Sequence, residues 1–150
     1  MFTGQALWFL KKQATRLKVS GLSFIDNIYA WARMVRHIES DNNHQASAGT
    51  TSAKGVYQFT DASVQTAKNR MFNMGFDKEF IREIDNNPHN WTDEHADSMF
   101  LANMFAQRGS DALLKKIGEC DVEAMKTAYY KFHHTDPDEA TKKRVDSIII

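Results

Sequence analysis

The chain has 150 residues, 42% of them hydrophobic and 25% charged, which is the composition of one ordinary globular domain. Lysine plus arginine and aspartate plus glutamate balance at 19 each, so no overall field draws the molecule onto nucleic acid. The single cysteine, Cys120, excludes an internal disulfide and, without a Cys-x-x-Cys context, reads as a small core residue; no apolar run approaches the roughly 20 residues a membrane-spanning helix needs.

The N-terminal segment "MFTGQALWFLKK" places its apolar part before its basic part, the reverse of a secretory signal peptide, so a target outside the cytoplasm implies another delivery route. A first helix is expected over 4–18, with residues 1–20 forming a helical extension of a single domain spanning 1–150. The basic run Lys11 to Lys18 reads as a solvated helix face, the alternative being contact with phosphates or lipid headgroups. Ser20-Gly21 breaks the helix. Ser23 is then placed to cap a second one, with Asp26 in a capping-box position, running to about Ser40. Asp41 to Thr51 is loop chemistry, and "GVYQF" (Gly55–Phe59) is the one β-like run, an arm of a small hairpin. Thr60 or Asp61 caps a helix ending near Gly75, a short helix follows through Ile84, and "NNPHNW" is a loop. Thr92, followed by Asp93 and Glu94, starts a strongly helical segment that stops at Gly109. Ser110 and Asp121 cap two further helices, and Asp136-Pro137 opens the last. The fold class is mainly α, with a small β-hairpin or irregular β segment near residues 50–60.

One carboxylate is out of place in this pattern. Stepping back from Glu39 at helical intervals gives Val35, Ala32, Ile28 and Ile25, so an acid ends the apolar stripe of the second helix. Burial disfavours the charged form and the helix C-terminus repels a carboxylate, so both features raise the Glu39 pKa. A carboxylic acid still protonated near neutral pH is what cleavage of a glycosidic bond demands. The structural alternative pairs Glu39 with Arg36 or His37, or lets it reach solvent.

Three segments taken together, "ESDNN" from Glu39, "AKGVYQF" from Ala53 and "TAYYKF" from Thr127, resemble the three-motif pattern of the soluble lytic transglycosylases and the related goose-type lysozymes. The resemblance covers about residues 22–135 and implies a lysozyme-like domain, with the helix at 93–108 as its central core helix. It implies that Glu39 is the catalytic acid, that Gly55, Tyr57, Gln58 and Phe59 form the floor of the sugar cleft, and that Tyr129 and Tyr130 line it from a later helix. Tyr130 stands where the family usually has Asn, Val56 is a mild change, and "KFHHTDP" replaces a Gly-rich continuation, which reshapes the far wall of the cleft.

The chemistry of the matched residues fits this reading. Gly55 lacks a Cβ and lets a polymer ring approach the backbone, and Gln58 carries both donor and acceptor groups for an amino sugar. Tyr57 and Phe59 offer flat apolar surface, although alternation can send one of them into the core. Ser40 either bonds a sugar, steadies Glu39 or simply ends its helix. Tyr129 reaches Glu39 or the substrate through its hydroxyl. Asp61, one residue out of register with the auxiliary Asp of goose-type lysozymes, is either a second carboxylate or a helix cap.

The six histidines are scattered, with no His-Glu-x-x-His, so no metal and no cofactor are expected. A Cys120 nucleophile activated by His133 has no supporting motif. The expectation is a lytic transglycosylase cleaving the MurNAc–GlcNAc β-1,4 bond of peptidoglycan glycan strands and leaving 1,6-anhydro-MurNAc ends. The alternatives are a hydrolytic muramidase using Asp61, or an inactive peptidoglycan-binding or structural virion module. The N-terminal reading favours a bacteriophage origin, with the protein carried among other virion proteins or released at host lysis to act on the cell wall.

Overall fold

The computed structural model describes residues 1–150 and is 66% helix. The helices are α1 (Gly4–Leu17), α2 (Gly21–Ser40), α3 (Asp61–Asn73), α4 (Lys78–Glu83), α5 (Asp93–Phe105), α6 (Ser110–Gly118), α7 (Val122–Phe132) and α8 (Glu139–Ile148), with a single 3-10 turn at Pro88–Asn90. Side-chain caps fix most of the starts. Thr60 and Ser63 form a reciprocal capping box at α3, and Thr92, Asp121 and Asp138 accept from the backbone of α5, α7 and α8.

Several expected boundaries move. Ser20, not Ser23, holds the N-cap position of α2, and its side chain makes no cap bond. Gly109 in the left-handed region (φ 80°) precedes α6, with Ser110 its first residue. Asp61 is the first residue of α3 and Thr60 its cap. The last helix opens at Asp138 rather than Asp136-Pro137, because the Asp138 carboxylate reaches the Thr141 N–H at 2.8 Å. The hairpin near residues 50–60 is reduced to isolated bridges joining Ser47 to Lys54 and Lys54 to Phe59. Gly55 (φ 82°) and Gln58 (φ 55°) turn the chain back within four residues, so no strand can extend.

Helix α5 is the centre of the molecule. Ala96, Met99, Phe100, Leu101, Ala102 and Met104 are fully enclosed, and the apolar residues go all round the helix, as expected for one covered on every side. Helices α1, α2, α3 and α6 pack against the core it anchors. Residues 1–20 are therefore not an appended extension: Ala6, Phe9 and Leu10 of α1 are buried, with the Phe9 ring edge-on to Phe105 at 5.6 Å. The basic run on α1 is its outer face, where Arg16 pairs with the exposed Asp111. Cys120 is exposed at the end of α6, in a left-handed backbone position (φ 64°), and is no core residue.

Inside this apolar packing sits one charged cluster. The Asp97 carboxylate on α5, 3% exposed, accepts two bonds from Arg33 at 2.9 Å, one from Arg36 at 3.4 Å and one from the Tyr57 hydroxyl at 2.6 Å. Arg36 also reaches Asp93 at 2.7 Å, so two guanidinium groups meet two carboxylates. Breaking a buried pair by removing one partner costs about 3–5 kcal/mol, because it leaves an uncompensated charge. Asp97→Asn should therefore lower the urea midpoint by a stability loss of about 3 kcal/mol or more, and Tyr57→Phe by about 1–2 kcal/mol. An unchanged midpoint for Asp97→Asn would show that the cluster does not clamp the fold.

Candidate active site

Helix α2 brings Glu39 to the rim of the core and then stops. Asp41 (φ 52°) and Asn42 (φ 63°) take left-handed conformations that short polar side chains tolerate, and their N–H groups return to His37 and Arg36 carbonyls. Arg144 of α8 covers the helix end, donating to the His37 carbonyl at 2.6 Å, the Ile38 carbonyl at 3.3 Å and Asp41 at 2.7 Å. A fixed cation thus offsets the negative end of α2 beside Glu39.

Three side chains from the end of α7 converge on Glu39, whose side chain is 10% exposed. The Tyr129 hydroxyl donates to Glu39 Oε1 at 2.6 Å. His134 Nδ1 lies 3.5 Å from the same oxygen and 3.1 Å from the Tyr129 hydroxyl. Because the Tyr129 proton is directed at Glu39, its oxygen accepts from His134 Nδ1–H. His133 Nε2 stands 3.7 Å from Oε1 but only 2.8 Å from the Tyr57 carbonyl. A carbonyl can only accept, so Nε2 carries the proton and donates to Tyr57.

These surroundings set the protonation states. Enclosure against Phe100 and Tyr57 pushes the His133 imidazole below its ordinary 6.5, so it is neutral at neutral pH. The Glu39 carboxylate, 3.5 Å from Nδ1, is the main cause that raises His134, outweighing its partial burial. For Glu39, burial is the largest single influence and pushes its pKa up, as the sequence implied. The polar approach of His134, the charge of His133 when protonated and the Tyr129 bond together outweigh it, and the net direction is down. This corrects the expectation of a raised pKa: the position was read correctly, but its partners were not visible in the apolar stripe. The His134 approach and the Tyr129 bond both favour the ionised carboxylate.

A cleft of about 470 Å³ opens over this cluster, lined by Glu39, Gln58, Thr60, His133, His134 and Asp138 together with the 48–53 loop. A larger recess of about 600 Å³ lies elsewhere, beside Phe24, Asn27 and Lys115, and contains no buried titratable side chain. Of the residues singled out in the sequence, Glu39 and Gln58 line the cleft, and Tyr129 lies beneath it. Gln58 spends its Nε2 donors on the Gly55 carbonyl at 2.9 Å and the Ala46 carbonyl at 3.4 Å.

The others have different places. A Cβ on Gly55 would stand 2.9 Å from the Pro88 Cβ, so glycine is required there by the left-handed turn and by Pro88 rather than by a sugar ring. Tyr57 is 1% exposed and stacks on Phe100 at 4.3 Å, and Phe59 is 3% exposed against Trp91; neither is a platform in the main cleft. Ser40 Oγ sits 2.8 Å from the Val56 carbonyl and fastens the turn to the end of α2. Tyr130 faces Asp146 of α8, whose charge helps burial raise its hydroxyl pKa, and lies outside the cleft lining. Asp61 is exposed and also outside that lining, its backbone N–H bonded to Ser52.

In the sequence His133 enters only as a discounted partner of Cys120, and "KFHHTDP" only as a reshaped wall of the cleft; that His133 and His134 adjoin Glu39, with Asp138 in the cleft and Arg144 at the end of α2, is missed. His133 follows Tyr129 by four residues, the spacing that stacks side chains on one helix face, and this signal was present in "YYKFHH". Asp138 was legible through its cap partner Thr141. Comparison of the chain with protein-family models, with curated proteins and with solved structures gives no match.

Chemically, the arrangement is an enclosed carboxyl group with a hydroxyl donor and a titrating imidazole, which is general acid–base equipment. Its pH dependence follows from the signs. Glu39, lowered in the fold, contributes stability above its unfolded value of about 4.3, lost as pH falls through the folded value. His134, raised in the fold, contributes below about 6.5, lost as pH rises through its folded value. Unfolding free energies of the wild type minus those of Glu39→Gln should therefore be largest between roughly pH 4.5 and 6.5 and shrink on both sides. A flat difference would dismiss the pairing.

Proposed function

We propose that this chain is a peptidoglycan-cleaving lytic transglycosylase acting on the MurNAc–GlcNAc β-1,4 bond, with Glu39 as its one catalytic carboxyl group. What carries the reading is Glu39 itself, almost enclosed at the end of α2, bonded by Tyr129 and open to a cleft. The three sequence segments behind the resemblance also meet there: Ser40 holds the Val56 carbonyl, His133 the Tyr57 carbonyl, and Tyr129 the Glu39 carboxylate.

The reaction assigns Glu39 two turns of proton transfer. As the acid it gives its proton to the bridging oxygen while the C1–O bond breaks. As the carboxylate, steadied by the Tyr129 hydroxyl, it takes the proton of the sugar's own 6-hydroxyl while that oxygen bonds to C1, giving the 1,6-anhydro end. No water is consumed and the acid is regenerated. A hydrolytic course has one observation in its favour. Asp138, the cap of α8, is the other carboxylate lining the cleft, so a water-activating role falls to Asp138 rather than Asp61.

Glu39→Gln should lower release of soluble fragments from purified peptidoglycan by about 10²-fold or more with the fold intact; substantial residual turnover would remove the central claim. Mass spectrometry of the digest separates the two courses. Anhydro-MurNAc ends, lighter by one water, are expected to dominate, with Asp61→Asn changing neither rate nor product. Reducing ends that disappear in Asp138→Asn would establish hydrolysis instead.

A further inference from the structure

The structure also assigns a part to His134, resting on the reading of Glu39 as the acid of glycosidic cleavage. We propose that His134 stores the proton that Glu39 needs, passing it through the Tyr129 hydroxyl when a glycan strand fills the cleft. The path has two hydrogen bonds, His134 Nδ1 to Tyr129 Oη at 3.1 Å and Tyr129 Oη to Glu39 Oε1 at 2.6 Å. In the transfer the Nδ1–H bond breaks and that proton joins Tyr129 Oη, while the former Tyr129 proton passes to Glu39. Tyr129 is neutral before and after; an imidazolium and a carboxylate become an imidazole and a carboxylic acid. The terminal carboxyl torsion is broad and two-fold, so the protonated oxygen can turn toward the cleft.

This device answers a difficulty the site otherwise presents. The open site favours an ionised Glu39, whereas cleavage needs its acid form. His134 is 34% exposed and lines the cleft, so an occupying sugar polymer would remove water from a charge pair. Loss of water disfavours two charges relative to two neutral groups, and the proton moves to the carboxylate. The other groups facing the pair do not supply it. His133 has its Nε2–H committed to the Tyr57 carbonyl, Asp138 at the start of α8 is anionic and favours the imidazolium, and Arg144 of α8 is engaged with α2 carbonyls and Asp41. The raised His134 and lowered Glu39 pKa values agree with a proton resting on the imidazole.

His134→Asn tests this directly, because the Asn amide keeps an N–H near the Nδ1 position and loses only the titration. In kcat/KM against pH on peptidoglycan, the wild type should stay active until the shared proton leaves the pair above about pH 6.5. In His134→Asn the alkaline limb, read relative to that variant's own maximum, should move down by about one pH unit or more. Wild-type cleavage with an unmoved limb in the variant overturns the inference and leaves the functional reading standing, whereas absence of cleavage by the wild type removes both. Independently of turnover, NMR titration of the His134 ring should give a pKa above 6.5 that falls in Glu39→Gln; a titration indifferent to Glu39 would overturn the proposal.

Discussion

The carboxylate of Asp97 ties α2, α5 and the Gly55–Phe59 turn to a single buried point, through Arg33, Arg36 and the Tyr57 hydroxyl. Apolar helix faces alone would tolerate a slide, since many registers bury similar area. A slide of one turn, about 5.4 Å, would here strand a guanidinium or a carboxylate away from water. Such a cluster adds little net stability compared with well-packed hydrocarbon, because desolvation consumes most of the Coulombic gain. Its effect is to penalise the alternatives.

The site inherits this constraint from both directions. Arg36 precedes Glu39 by three residues on α2, so fixing its guanidinium on Asp97 and Asp93 fixes where the Glu39 carboxyl emerges. Tyr57, held by the same Asp97, presents its carbonyl to His133, while the neighbouring Val56 carbonyl receives Ser40. The end of α7 is thereby referenced to the same buried point as the end of α2. The resembled cleft-floor segment acts here through its backbone: its aromatic rings are core, and its carbonyls anchor the groups around Glu39.

The helices were legible because periodicity and caps are local properties, and Thr92, Asp121 and the stripe ending at Glu39 carry them within a few residues. Boundaries failed where two polar residues competed for one cap, as with Asp136 against Asp138, since the choice depends on where the backbone already points, and at α2, which starts after Ser20 with no side-chain cap at all. The Asp97 cluster was illegible for another reason. Arg33, Arg36 and Asp97 are ordinary charged residues in sequence, and only packing across about 60 positions makes them partners. The same limit explains Glu39. Its burial could be read from its own helix, but the sign of its pKa shift depends on residues 90 and more positions away.

The segment "KFHHTDP" is where this chain departs most from the pattern it resembles, and it is also where the polar partners of Glu39 enter. A Gly-rich continuation would supply backbone and space but no titrating side chain. In its place the chain exits α7 through His133 and His134, whose N–H groups both return to the Tyr129 carbonyl, so the residue that bonds Glu39 also orients the two imidazoles above it. The two rings then diverge in chemistry by environment alone. His133, 9% exposed and committed to the Tyr57 carbonyl, has its pKa lowered by burial, whereas His134, wetter and beside the carboxylate, has its pKa raised. An acid enclosed only by hydrocarbon keeps its proton through desolvation. This one is surrounded by partners that first take the proton away, and that makes its acid form conditional on what occupies the cleft.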